Sequence, residues 1–371
     1  METRLLGRTG LGVGVVGLGT EYLNGKSRDQ VVSAIGAALA HGVTYLDIVY
    51  AFPEYLANLV AALQGHREQV VLTGHLGSTV DKGQYCKTRS VRKSEPFFLN
   101  VLSGLGTDHV DVLFLHNCDT QKDYDQIVRP GGQLDLARRY QQEGKARFIG
   151  FSGHTVATAL QAVESGHVDV LMFPINISGN AVPGKRELLS ACVAHRVGVV
   201  AMKPFAGGKL LRKERTVRVG RYLSGGVAAK LRKSAPITVA QCLSYVLSQA
   251  GVATCVPGCA DLEQVSAAVS YAEVTDQDKD FSAVLADFQQ YVAGECVYCN
   301  HCLPCPSAID IGGVFRLLDA AQQQMTARIR AAYSSLPASA ADCIQCGVCT
   351  ERCPFGVDVI PKMQQAASLF A

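Results

Sequence analysis

Tryptophan is absent, and charged residues make up only 18% of the chain against 48% apolar ones, a balance that excludes a disordered or fibrous protein. Neither sign of charge is in excess: 35 Lys and Arg face 32 Asp and Glu, and a formal charge of +3 is no footprint for nucleic acid. No run of about 18 apolar residues is present, so no membrane-spanning helix is expected. The first twenty residues carry Glu2, Arg4 and Arg8 ahead of a Gly/Val-rich stretch and lack a secretory signal pattern, which leads to the expectation of a cytoplasmic protein. At roughly 100–200 residues per domain, the 371 residues have room for two domains, or one barrel plus an appendage.

What the sequence has in quantity is cysteine, 14 in all. In a reducing compartment that number points to metal ligation or redox chemistry rather than to a disulfide frame. Eight of them fall after residue 290, as Cys296-x2-Cys299-x2-Cys302-x2-Cys305-Pro306 and Cys343-x2-Cys346-x2-Cys349-x3-Cys353-Pro354. Two residues between thiolates let one tight loop present three sulfurs and several backbone N–H groups to a cube of iron and sulfide. Zinc, the alternative, needs four ligands per ion and has no use for three successive steps closed by Cys-Pro. The pattern resembles two-cluster ferredoxins, in which each cluster takes its fourth thiolate from the other motif. That resemblance implies one [4Fe–4S] cluster on Cys296, Cys299, Cys302 and Cys353, and a second on Cys343, Cys346, Cys349 and Cys305. The first motif departs from the usual pattern by closing with two intervening residues instead of three. The segment between the motifs carries a helical pattern at Val314, Phe315, Leu317, Leu318 and Ala321.

Residues 1 to 275 alternate short apolar runs with amphipathic stretches. Candidate strands are Val13–Leu18, Thr44–Asp47, Val70–Thr73, Val110–Leu115, Ala146–Ser152, Val168–Pro174, Val197–Lys203 and Ala253–Pro257, with helices such as Asp29–Ala40 and Val239–Ser248 between them. Eight alternations predict an α/β fold, a (β/α)8 TIM barrel, with a C-terminal α-rich two-cluster domain. A doubly wound sheet would want a G-x-G-x-x-G turn after its first strand, and the glycines from Gly10 to Gly19 lack that spacing. The expected division is a barrel at 1–275, a linking helix at 276–290 and the two-cluster domain at 291–371.

Several segments then carry a family resemblance: Leu5-Leu6-Gly7-Arg8-Thr9-Gly10, Gly42-Val43-Thr44-Tyr45-Leu46-Asp47, Val110 to His116, Gly144 to His154, Ala201-Met202-Lys203-Pro204 and Val256-Pro257-Gly258. Together they resemble the aldo-keto reductases, and more narrowly the prokaryotic branch with a C-terminal two-cluster ferredoxin-like domain. The resemblance implies hydride transfer from NADPH to a carbonyl, a Tyr acid, an Asp and a Lys that tune it, and a His that orients the carbonyl. Asp47 and His116 match the Asp and the His. The Tyr position holds Phe52, which has no proton to give, and the Lys position falls on Thr73-Gly74-His75. Imidazole titrates near neutrality, so His75 paired with His116 beside Asp47 is the expected proton-handling group; Tyr50 is second choice, with Tyr55 in the same loop.

The cofactor positions are altered too. Met172 and Met202 stand where the family places a Gln and an aromatic against the nicotinamide, and Gly258, Gln264 and Ala268 replace the Lys, Arg and Asn that select NADPH. Ser152 and Asn176 match nicotinamide-facing positions, and Lys203, Gly258 and Asp261 are the further cofactor candidates, with the Pro257-Gly258 turn as a phosphate seat. Nine basic residues between Lys209 and Lys233 read either as an anion clamp or as a solvated loop docking the cysteine domain. Cys86, Cys118, Cys192, Cys242, Cys255 and Cys259 read as barrel packing.

These readings lead to an oxidoreductase in which two clusters relay electrons to or from a site at the barrel mouth. The expected partners are a small-molecule substrate and an external ferredoxin- or flavodoxin-like carrier, with no nucleic acid and no membrane. NAD(P)H is one cofactor for the barrel. The alternatives are a flavin-dependent or directly cluster-driven reductase, and a non-catalytic electron-transfer or scaffolding subunit.

Overall fold

A computed structural model describes the chain except residues 82, 213–214, 224–225, 235, 286–287 and 289–293, and it describes no side chains between 213 and 235 or at 323. It divides into two compact units. One comprises residues 1–77 and 89–291, the other residues 78–88 and 292–371.

In the larger unit eight parallel strands run in sequence order around a barrel: Leu18–Gly19, Tyr45–Asp47, Val71–Leu76, Val110–Leu115, Ala146–Ser152, Val170–Pro174, Gly198–Met202 and Val252–Val256. Parallel bridges Val16 to Cys255 and Gly19 to Gly258 join the last strand to the first. The fold is therefore a (β/α)8 TIM barrel. Strand side chains alternate between faces, so Tyr45 and Asp47 share one face, as do Val71, Thr73 and His75, and Val112, Phe114 and His116. Tyr45, Val71, Val112, Phe114, Val170, Met172, Val200 and Val256 pack together as the barrel's filling. Period two then carries Asp47, His75 and His116 inward at the C-terminal ends, where barrel enzymes place their chemistry.

Val13 belongs to another element. It lies in an N-terminal hairpin, Thr3–Leu5 paired with Gly12–Gly14, and packs with Leu6 and Leu11 against the barrel filling. Arg4 donates to the carbonyls of Leu247 and Val252, and Gly14 N–H to Thr44 Oγ1, so the hairpin is pinned at the N-terminal ends of strands. Two of the surrounding helices start on capping boxes, Ser27 with Gln30 ahead of Arg28–Ala40 and Thr238 with Gln241 ahead of Val239–Leu247.

The smaller unit packs helices Ile311–Gln323, Ala327–Ser334 and Val359–Phe370 around Ile309, Val314, Phe315, Leu318, Val357 and Met363. An antiparallel hairpin, Ser78–Asp81 with Gln84–Lys87, belongs to this unit, and Gln84 Oε1 accepts the Cys305 N–H at 2.9 Å. Cys86, read from the sequence as barrel packing, sits in that hairpin. The stretch expected as a linking helix belongs to the larger unit and carries the short helices Asp276–Lys279 and Ser282–Leu285 among its described residues. Most of the basic segment between Lys209 and Lys233 lies outside the described side chains. Among the described residues no helix is long and apolar enough to cross a membrane.

Candidate active site and cysteine clusters

Asp47 ends the second strand and is 7% exposed, His75 lies in the third at 3%, and His116 follows the fourth at 6%. Asp47 Oδ1 accepts the Thr73 hydroxyl at 2.6 Å and the His75 Nε2–H at 2.9 Å. His75 Nδ1 then meets His116 Nδ1 at 2.9 Å. Burial alone would raise the Asp47 carboxyl, but His75, the Thr73 hydroxyl and the charge of Lys203 outweigh it and hold Asp47 below the usual carboxylate range. An ionised Asp47 only accepts, so His75 Nε2 carries hydrogen. The two facing Nδ1 atoms then share one proton: His116 donates when His75 is neutral, and His75 donates when it is protonated. Asp47, His75 and His116 thus form one continuous hydrogen-bonded chain.

The chain is held from below and behind. The Phe114 ring stacks on His75 at 5.2 Å, and Phe114 has room because residue 150 is glycine: a Cβ there would lie 2.4 Å from the ring. Arg89 donates to the carbonyls of His116 at 2.8 Å and Asn117 at 2.6 Å while its Nε pairs with Asp123 at 2.8 Å. Those three bonds fix the turn after the fourth strand, where Asn117 adopts φ 51°.

A second chain went unread in the sequence. Lys203, just past the seventh strand, donates from Nζ to His154 Nε2 at 3.0 Å, and His154 Nδ1 lies 3.1 Å from both Asp119 carboxylate oxygens. An ammonium has no acceptor capacity, so His154 Nε2 must accept and its Nδ1–H must face Asp119. Lys203 is left-handed at φ 58°, and Asn176 Nδ2 holds its carbonyl at 3.1 Å. The available signal was position alone, since Asp119 and His154 each lie within a few residues of a strand's C-terminal end.

Tyr55 is buried against the Thr20 hydroxyl, and burial pushes its phenol far up. Tyr50 packs on Phe52 and Tyr55, with ring centroids 5.3 and 5.9 Å away.

The candidate cofactor contacts are largely spent inside the protein. Ser152 Oγ accepts the Asn117 N–H, and Asn176 Oδ1 accepts from Ser178 and from the Gly179 N–H. Asp261 caps its own helix through the Gln264 N–H at 2.9 Å, while Gln264 Oε1 takes the Ala260 N–H at 3.0 Å. Gly258 lies under Tyr22, whose ring carbons would sit 2.5 Å from any added Cβ. Ser152 and Asn176 thus each spend at least one polar atom on the chain itself.

All fourteen cysteines are free thiols, and the six outside the two motifs are buried. Burial pushes Cys302 up, and the neighbouring Cys299, Cys296, Cys353 and Cys349 push it further. Cys349 is raised in the same way by burial and by Cys346 and Cys343. Cys302, Cys305, Cys343, Cys346 and Cys349 line one cavity with Ile309, Val359 and Met363. Cys353 thus lies near Cys302, and Cys305 shares a cavity with the second motif. Backbone donors reach the sulfurs, from Tyr298 N–H to Cys296 Sγ at 3.4 Å and from Thr350 to Cys349. Two sets of thiols, with apolar walls and amide donors, fit iron–sulfur clusters.

Comparison with known proteins agrees with both units. Residues 10–286 match the aldo/keto reductase family, and residues 295–358 match a 4Fe-4S dicluster domain. An uncharacterized oxidoreductase, YqkF, of Bacillus subtilis is 24% identical over 71% of this chain and 89% of its own. L-galactose dehydrogenase of Arabidopsis thaliana is 26% identical over 76% of this chain and 92% of its own. The solved structure of aldo-keto reductase AKR11C1 from Bacillus halodurans in its holo form superposes with a TM-score of 0.61 at 22% identity, covering 77% of this chain and 96% of that one. Fold, family match and relatives converge: the chain is an oxidoreductase of the aldo/keto reductase family that carries a 4Fe-4S dicluster domain.

Proposed function

We propose that the protein interconverts a small carbonyl and its alcohol at the barrel mouth, exchanging two electrons per turnover, one at a time, with an external ferredoxin- or flavodoxin-like carrier; in the reducing direction one proton goes to the carbonyl oxygen and a second, from solvent, to its carbon. Cys296, Cys299, Cys302 and Cys353 would hold one [4Fe–4S] cluster and Cys343, Cys346, Cys349 and Cys305 the other. When bound, such clusters supply uptake and release of one electron each.

The observation that carries this reading is the continuous hydrogen-bonded run from Asp47 through His75 to His116. A carbonyl oxygen that gathers charge needs a proton, and the family's phenol is missing at Phe52. Starting with His75 protonated and stabilised by Asp47, His116 gives its Nε2 proton to that oxygen and takes the His75 Nδ1 proton in its place, which leaves both imidazoles neutral. Lys203, held by His154 and Asp119, supplies a fixed positive charge for the same oxygen, and Asp47 feels it. Thr73 and Arg89 orient without touching substrate.

The test uses the full chain with its iron and sulfide, reduced viologen as donor and a panel of short aldehydes and ketones under argon. Turnover is expected with viologen, with little or none when NADPH is the donor, and His116→Ala should remove it while iron content stays at the wild-type level. Turnover with NADPH that His116→Ala leaves untouched would overturn the proposal. A yellow cofactor released by denaturing fresh protein would move the assignment to a flavin.

A further inference from the structure

The cysteine unit repeats itself in backbone as well as in sequence. Cys305-Pro306-Ser307-Ala308-Ile309-Asp310-Ile311 is answered 48 residues later by Cys353-Pro354-Phe355-Gly356-Val357-Asp358-Val359. Ala308 and Gly356 are both left-handed, and Asp310 and Asp358 each stand at the start of a long helix. The cysteine loops correspond too: Tyr298 and Asn300 in the first, Gln345 and Gly347 in the second, all take positive φ at matching places.

The correspondence breaks where the loop meets its helix. Tyr298 is 3% exposed, and its hydroxyl donates at 2.5 Å to Asp319, a carboxylate 8% exposed, while the exposed Arg316 guanidinium lies 5.2 Å from its ring centre. In the second half Gln345 occupies the place of Tyr298 and accepts from Gln364, at the place of Arg316, at 3.4 Å. Ala367 stands where Asp319 would be. One loop is backed by a buried carboxyl group and the other by two neutral amides.

We propose that Asp319, held against the first loop by Tyr298, makes the cluster on Cys296, Cys299, Cys302 and Cys353 the harder of the two to reduce. The inference rests on the assignment of the eight cysteines given above. A four-thiolate cluster becomes more negative when it takes an electron, and a fixed anion in a low-dielectric surrounding opposes that change. Arg316 opposes Asp319, but an exposed cation is screened by water while a buried carboxylate is not. Solvent acts in the same direction, because Cys346 of the second set is exposed and none of the first set is. Asp319 works through its field on the cluster, with no bond made or broken, and is a positioning residue.

The experiment is an EPR-monitored redox titration of the full chain, loaded with iron and sulfide under argon. Wild type should show two separate one-electron steps. Asp319→Asn should raise the lower step toward the upper one and leave the upper in place, and Asp319→Glu should keep the wild-type separation. Arg316→Gln, at an exposed position, should move the lower step further down, and it decides the question alone if Asp319→Asn fails to load. A single unresolved step in wild type, or variants that move neither step or both equally, would overturn the proposal. Less than about eight iron per wild-type chain would count against the cluster assignment itself and leave the tuning role of Asp319 without its object.

Discussion

The cysteine unit and the barrel mouth hold their functional atoms by opposite means. In the former, sulfurs sit on short loops bent at left-handed residues such as Tyr298, Asn300, Gln345 and Gly347, with the second loop open enough to expose Cys346. In the latter, Asp47, His75 and His116 project from closed parallel strands whose register sets each 2.9 Å from the next. A metal site specifies its ligands by atom type and number, and a loop can supply them. A proton chain specifies who faces whom, and that takes a rigid scaffold with packing beneath it.

The largest expected effect breaks one side of this comparison. Cys299→Ser and Cys346→Ser should each cut bound iron by about half, from roughly eight to roughly four per chain, since each removes a thiolate from a different set. Iron left at the wild-type level in either would contradict that set. Next, Gly150→Ala attacks the barrel side by driving Phe114 out of its seat under His75. It should destabilise the protein by about 1–3 kcal/mol in chemical unfolding, as overpacked cores do, and slow carbonyl turnover, while bound iron is unchanged.

A smaller effect sharpens the contrast through pH. Lys185 is buried against the Gly179 carbonyl and the Tyr245 hydroxyl, and burial lowers its amine to about 8 from 10.5. Between those values the unfolded chain binds the proton that the folded site has released, so stability should rise with pH from about 8 to about 10.5. Lys185→Met should flatten that rise in urea melts followed by barrel-derived circular dichroism. An unchanged slope would assign the rise to other groups.

The cysteine ligands were legible because their chemistry is local: spacing and the closing Cys-Pro carry it in one dimension. The barrel was legible for a related reason, since alternating strand and helix patterns leave few architectures to choose from. His75 beside Asp47 followed from the family resemblance, whose Lys position falls on Thr73-Gly74-His75. The chain from Lys203 through His154 to Asp119 did not, because its members come from three separate strand ends and only closure of the barrel aligns them. The first strand was misplaced at Val13 because an apolar hairpin that plugs a barrel reads like a strand of it. The hairpin of Ser78–Asp81 with Gln84–Lys87 was missed although Asp81 and Gly83 are turn-favouring residues between two polar-apolar segments of the sequence. The duplication from Cys305 to Cys353 lay in plain view and needed only the second Asp, Asp358, to be set beside the first.

The central claim is that protons for carbonyl chemistry run through His75 and His116 while electrons come from the cysteine unit. It is tested most directly by mixing pre-reduced protein with a short aldehyde and following the return of iron–sulfur absorbance in wild type, His75→Ala and His116→Ala. Fast return in wild type and a slowing of about 100-fold or more in both variants, at equal iron content, is the predicted result. Return at the wild-type rate in either variant would contradict it.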